Sequence, residues 1–149
     1  VRNPFDRAYS DYLWIQKNRK IKGTFQEYIL QKGNFDKVLN DCSDKNYRGD
    51  HVISQTDFFD FEGNYKMDFV GRFESLNNDI EKLNKLLGIQ KPFTYHSKKN
   101  KNRLDHYSLF YSSKTRRMVE EKFSKDLNKL DYKFDDQKSF LDKLKKILQ

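Results

Sequence analysis

The chain runs to 149 residues, enough for one domain with a core of its own. Its 30 basic and 22 acidic residues leave a formal charge of +8, which suits an anionic partner (nucleotide, polyanionic glycan or nucleic acid) without choosing among them. The single cysteine, Cys42, excludes an internal disulfide and a cysteine-built zinc cluster and points to a reducing compartment, and no apolar run reaches the ~18 residues that cross a bilayer.

Val1 to Ser10 read as an apolar residue closing a buried strand, a basic side chain, a proline turn and then a helix bearing a hydroxyl. α/β folds hold phosphates at such places, because a strand end opening into a helix gathers backbone N–H groups and the positive end of the helix dipole. With a strand caught at its last residue, the chain is expected to be the C-terminal part of a larger α/β domain. Pro4 suits the first helical position, whose N–H would be unpaired anyway. Phe5, Tyr9, Tyr12 and Leu13 recur at three- and four-residue steps and predict a helix of about three turns. Thr24-Phe25-Gln26-Glu27 is a capping box; the helix it opens buries Phe25, Tyr28 and Ile29 and stops near Gly33. Residues 34–56 show no clear period and predict a long loop with one short helix near 35–39, and Gly63-Asn64 predicts a turn.

Met67 to Phe73 is short and apolar and predicts a strand buried on both sides, running into a helix whose Leu76, Ile80, Leu83 and Leu87 share a face. Gly88 stands where a left-handed C-cap belongs. A strand followed directly by a helix is the unit from which parallel sheets are built. A helix over 113–130 turns Val119, Phe123, Leu127 and Leu130 inward, and a last one over 136–148 buries Phe140, Leu144 and Ile147 or Leu148.

Spacing alone leaves two readings of Arg2 and Ser10. Either the guanidinium and the hydroxyl grip a phosphate at the helix N-terminus, or Arg2 pairs with a carboxylate and Ser10 bonds back to a carbonyl one turn earlier. Two basic runs contain no acid: Lys17, Arg19, Lys20 and Lys22 within 17–22, read as a solvated loop, and Lys91, Lys98, Lys99, Lys101 and Arg103 within 91–103.

Arg2-Asn3-Pro4-Phe5-Asp6-Arg7, with Ser10 eight residues after Arg2, resembles the 3′-phosphate-binding motif of sulfotransferases. More particularly, the chain is similar to the carbohydrate sulfotransferases of the chondroitin and HNK-1 type, a Golgi-type family. The similarity continues through Thr24-Phe25-Gln26-Glu27-Tyr28-Ile29 and His51-Val52-Ile53-Ser54-Gln55. It is most specific at Asp68-Phe69-Val70-Gly71-Arg72-Phe73-Glu74-Ser75-Leu76 with Asp79, and it closes with Phe123, Asp126, Tyr132 and Phe134.

The resemblance implies a three-layer, parallel-sheet, P-loop-like α/β fold with a helix-rich C-terminal half, of which residues 1–149 form the C-terminal part of a single domain. It implies transfer of a sulfuryl group from 3′-phosphoadenosine-5′-phosphosulfate to a hydroxyl of a glycan or other acceptor, with no metal and no nucleic-acid partner. Arg2 and Ser10 would hold the 3′-phosphate, and Lys98 and Arg103 fall where the family lays a loop over the nucleotide. Arg7 is expected in an ion pair, and Glu74 in a structural role. None of the six glycines opens a 5′-phosphosulfate loop; in the family that loop precedes the Arg2 motif, so it is expected upstream and this fragment alone is expected to be inactive. His51 is the candidate base within the chain, with the principal base expected upstream of Val1 and His96 and His106 ranking below it. Asp57, Asp60 and Glu62 cluster without metal-ligand spacing. The location implied is cytoplasmic for a bacterial host, or membrane-anchored if an upstream segment carries an anchor. The competing reading is a non-enzymatic basic module that holds nucleic acid or an acidic polymer through 17–22 and 91–103, with steeply salt-dependent affinity.

Overall fold

Asn3 caps the first helix by accepting the Phe5 N–H on Oδ1 at 3.0 Å, and Pro4 takes the first helical position. In this computed structural model, which describes residues 1–61, 64–65, 67–90 and 106–137, that helix (α1, Pro4–Arg19) is 16 residues long, over a turn more than its apolar period predicts. Lys20 ends it in the left-handed conformation. The Thr24 capping box forms as expected, with the Glu27 carboxylate taking the Thr24 N–H at 2.6 Å, and opens α2 (Phe25–Ile29). A 3₁₀ turn over Gly33–Phe35 leads into α3 (Asp36–Asn40), and two more 3₁₀ turns cover Gly49–Val52 and Gln55–Phe58.

Strands β1 (Asp60–Phe61) and β2 (Asn64–Tyr65) pair antiparallel, with Asp60 opposite Tyr65. After a 3₁₀ turn at Phe73–Ser75 comes α4 (Leu76–Leu86). Gly88, at φ +67°, follows its C-cap, and Ile89 and Gly88 donate back to the Asn84 and Lys85 carbonyls at 2.8 and 3.3 Å. That is the Schellman arrangement the glycine announced, since a side chain at this φ would be strained. The helix expected over 113–130 is divided into α5 (Ser113–Lys122) and α6 (Ser124–Lys129), because Phe123 leaves helical geometry while its ring stays in the core.

One aromatic cluster joins these pieces. Phe5 meets Phe134 edge-on at 5.0 Å and Tyr111 at 5.8 Å, and the Tyr111 hydroxyl donates to the Phe5 carbonyl at 2.8 Å. Phe25, Tyr28 and Phe35 continue the cluster toward α2 and α3, and Val119 and Phe123 close it from α5. Such ring pairs add roughly 0.5–1.5 kcal/mol each beyond their buried area. The core is therefore centred on α1, and it fixes the helix whose N-terminus bears the motif.

The expected three-layer parallel sheet is overturned. The described residues are helical, and their only sheet is the two-residue pair of β1 and β2. The Met67–Phe73 strand does not form, and its ends are not buried: Met67 is 47% exposed and Phe73 54%. A strand needs its alternating N–H and C=O groups taken by neighbouring strands, and here they are taken singly. The Val1 amine donates to the Gly71 carbonyl at 2.6 Å, Phe73 donates to the Val1 carbonyl at 2.7 Å, and the Arg72 N–H goes to the Asp79 carboxylate on α4 at 2.8 Å. From residue 138 on, the helix expected at 136–148 lies outside the described residues.

Candidate functional site

Arg2 is held at both its backbone and its tip. The Gln55 side-chain amide accepts the Arg2 N–H and donates to the Arg2 carbonyl, each at 2.8 Å, as a neighbouring strand would. Gln55 is itself fixed from α6: the fully buried Asp126 carboxylate accepts the Gln55 N–H at 2.8 Å and the Thr56 N–H and hydroxyl at 2.9 and 2.8 Å. At the tip, Nε and a terminal nitrogen of Arg2 reach the same Asp6 oxygen at 2.6 and 2.5 Å, and the guanidinium lies 4.4 Å from the Phe73 ring centroid.

Asp6 and Ser10 are one turn apart on α1 and therefore share a face. By folding onto Asp6, Arg2 brings its guanidinium to the side of the helix that bears the Ser10 hydroxyl. Ser10 is half-buried and makes no side-chain hydrogen bond with a described residue. The carboxylate-pairing reading of Arg2 thus holds for part of its donor set, and the back-bonding reading of Ser10 does not hold.

Two carboxylates brace the segment on either side of Phe73. Asp79 accepts the Arg72 N–H at 2.8 Å, the Lys82 ammonium at 3.0 Å and the Ser75 hydroxyl at 2.8 Å, and these donors hold its carboxyl down at about 2. Glu74 accepts the Asn3 N–H at 2.6 Å and the Tyr132 hydroxyl at 2.9 Å, so its structural role is to tie the start of α1 to the 130s. Burial, reinforced by the Glu74 carboxylate, raises the Tyr132 hydroxyl above its ordinary range. Arg72 stacks 4.6 Å from the Tyr132 ring centroid and donates to the Leu130 carbonyl at 2.7 Å.

The backbone at this helix end offers an anion little. Pro4 has no N–H, Phe5 donates to its cap, Asn3 donates to Glu74, and Arg7 donates to the Asn3 carbonyl at 2.9 Å. An anion at this end would meet side chains before these amides. Arg2 and Ser10 fit a tetrahedral anion in this respect, since two of the five guanidinium N–H groups are spent on Asp6 and the hydroxyl is uncommitted.

On the next stripe of α1, Arg7 makes the expected ion pair with Asp11 at 3.6 Å and also donates to the Ile53 and His51 carbonyls at 2.8 and 3.2 Å. His51 places Nδ1 3.3 Å from Asp11 and stacks on Trp14 at 4.9 Å. His106 instead meets Ser108 at Nδ1 and Asp135 at Nε2, at 2.9 and 3.5 Å, beside the core. Lys98, Arg103 and His96 lie outside the described residues. Among the described residues, no group of His, Cys, Asp and Glu is arranged to hold a metal ion, and no helix is long and apolar enough to cross a membrane.

In the sequence, Gln55, Asp79 and Asp126 stand out only through the family resemblance. Their work became visible when partners 53, 7 and 71 residues away came into contact. No curated protein and no solved structure matches the chain. The model of one family, described as the sulfotransferase family, matches residues 1–133, which span the Arg2 motif and the Arg72–Asp79 and Asp126 braces. With nine-tenths of its length matched, including every group that fixes Arg2, the chain belongs to the sulfotransferase family.

Proposed function

We propose that the chain binds 3′-phosphoadenosine-5′-phosphosulfate, with Arg2 and Ser10 on its 3′-phosphate, and serves sulfuryl transfer to a hydroxyl of a carbohydrate acceptor. The observation that carries this is the doubly clamped Arg2, its backbone paired to Gln55 and its guanidinium turned by Asp6 onto the Ser10 face. When bound, the donor supplies the sulfuryl group; the residues described here bind and orient its far end. Preorganisation matters because a guanidinium already fixed loses little freedom on gripping a phosphate. Asp6 cancels part of that positive charge, so further cations are required, and Lys98 and Arg103 are assigned to that role on the family pattern. The carbohydrate acceptor also rests on the resemblance.

The test is a titration of the chain with adenosine 3′,5′-bisphosphate and with AMP. The bisphosphate should bind at least tenfold tighter, and Arg2→Ala should remove about 1.5–3 kcal/mol, as for a charge-assisted hydrogen bond. Ser10→Ala should remove about 1 kcal/mol. Equal affinity for the two nucleotides would sink the proposal.

A second assignment concerns His51. Asp11 at Nδ1 orients the ring and leaves Nε2 as the proton acceptor, the arrangement a general base needs. In a protein that also carries the upstream 5′-phosphosulfate loop, His51→Gln should cost turnover about 10²–10⁴-fold with nucleotide affinity intact, the signature of a base that takes the acceptor's hydroxyl proton. An unchanged rate would return His51 to a packing role against Trp14.

A further inference from the structure

Trp14, the chain's one tryptophan, is 39% exposed on α1. His51 stacks on its ring with the planes 16° apart, and the Arg19 and Arg48 guanidinium groups each lie 6.0 Å from its centroid. Lys17 follows Trp14 by three residues and so stands beside it on the helix. Past the end of α1, Arg19, Lys20 and Lys37 line one cleft. Asp44 is the carboxylate of that cleft, and it pairs with Lys37 at 3.1 Å. Lys17, Arg19, Lys20 and Arg48 form no ion pair with a described residue. Cations in a last helical turn complement the dipole, which accounts for Lys17 and Arg19. It does not account for Arg48 at the same indole, nor for an indole edge left in solvent among cations.

We infer, independently of the Arg2–Ser10 reading, that this face docks on an anionic lipid bilayer, with the Trp14 edge seated among the headgroups and the surrounding cations on lipid phosphates. Indole suits the boundary of a bilayer, because its body is apolar and its N–H can stay wet. An anionic leaflet attracts Lys and Arg near its surface, and the attraction fades within a Debye length, about 8–10 Å. Cations therefore add together only when they are grouped on one face, as Lys17, Arg19, Lys20 and Arg48 are around Trp14 and the cleft beside it. Nucleic acid would call for a free aromatic face on which bases stack, whereas His51 already takes a face of Trp14 and both guanidinium groups crowd the ring. From Pro4 to Trp14 the helix rises about 15 Å at about 1.5 Å per residue, so this face is separate from the Arg2 end.

The test mixes the 149-residue chain with vesicles of phosphatidylcholine, alone or with roughly one-third phosphatidylglycerol. Sedimentation reads the bound protein, and fluorescence reads Trp14 without interference from another tryptophan. The mixed vesicles should bind about tenfold tighter or more than the neutral ones, and binding should shift the Trp14 emission to the blue and shield it from acrylamide. Lys17→Gln with Lys20→Asn should weaken binding about 25-fold, since each charge near an anionic surface is worth roughly fivefold. Both lysines are exposed, and Asn tolerates the left-handed backbone of residue 20, so this double variant should melt with the parent. Lys85→Gln with Lys133→Gln removes the same charge from α4 and from beside Asn3, and should bind vesicles as the parent does. Arg2→Ala should leave vesicle binding intact while it weakens adenosine 3′,5′-bisphosphate, so the two readings fail separately. Equal binding to neutral vesicles, unchanged binding in the Lys17–Lys20 variant, or an equal loss in the Lys85–Lys133 variant overturns the inference. Binding without an emission shift overturns it too, as does release from the vesicles by an oligo-dT at equal phosphate concentration.

Discussion

At the scale of single residues, the core contains a polar group that no described residue satisfies. The Tyr28 hydroxyl is buried with no hydrogen-bond partner among the described residues, and burial pushes its ionisation far above the usual tyrosine range. An unpaired buried hydroxyl costs about 1–3 kcal/mol, whereas its ring contributes packing against Tyr12 and Phe35 that phenylalanine would keep. Tyr28→Phe is therefore expected to stabilise the protein by about 1 kcal/mol, read as a higher urea midpoint at unchanged slope. A lower midpoint would mean that the hydroxyl has a partner in solution. That Tyr28 is buried could be read from its place in the helix opened by Thr24; that its hydroxyl is orphaned could not, because an inventory of donors requires the neighbours. Arg2 shows the same limit. Its type and position were legible, while the Asp6 contact that aims it and the Gln55 amide that fixes its backbone required the fold.

At the scale of elements, what was legible was local. The Thr24–Glu27 box, Pro4 at a first turn and Gly88 at a C-cap are satisfied within a few residues of themselves, so the chain declares them. The 67–73 segment has the composition of a strand, yet strand formation depends on partners elsewhere, and here Val1 and Asp79 take its backbone groups. Asp126 is the sharpest case of non-local dependence, because it joins α6 to the turn that clamps Arg2. Asp126→Ala would strand three buried donors, on Gln55 and Thr56, and should cost about 3–5 kcal/mol, as for a broken buried charged network. Asp126→Asn, which keeps the shape, should cost less in urea unfolding. It should nonetheless weaken adenosine 3′,5′-bisphosphate, since a loosened Gln55 no longer holds the Arg2 backbone. Full nucleotide affinity in a folded Asp126→Asn variant would show that the brace serves stability alone.

At the scale of the whole molecule, the shifted groups bound the pH range of the fold from both sides. The Asp79 carboxyl, held at about 2 by the Arg72 N–H, Lys82 and Ser75, ionises well below the ordinary aspartate value of 3.8. Glu27, Asp41 and Asp44 are lowered by donors from Thr24, Ser43 and Asn46. Below the unfolded value the unfolded chain binds more protons than the native one, so stability falls as pH drops from about 4 through about 2. On the alkaline side, burial raises the Tyr107 hydroxyl to about 12 from 10.0, and Tyr28 and Tyr132 shift in the same direction. These tyrosines keep their protons in the native state where the unfolded chain has released them, so their contribution is complete below about 10 and is lost as pH rises toward about 12. Thermal melts followed by circular dichroism should therefore show a plateau from about pH 5 to 9 with a decline on each side. Asp79→Asn should lower the plateau and flatten the acid limb, because asparagine cannot accept on both oxygens and does not titrate. Tyr107→Phe should flatten the alkaline limb, at the cost of the Asp135 N–H that its hydroxyl accepts at 2.8 Å. A melting temperature that peaks near pH 3, or an acid limb as steep in Asp79→Asn as in the parent, would place the controlling carboxylates somewhere other than the Arg72–Asp79 brace.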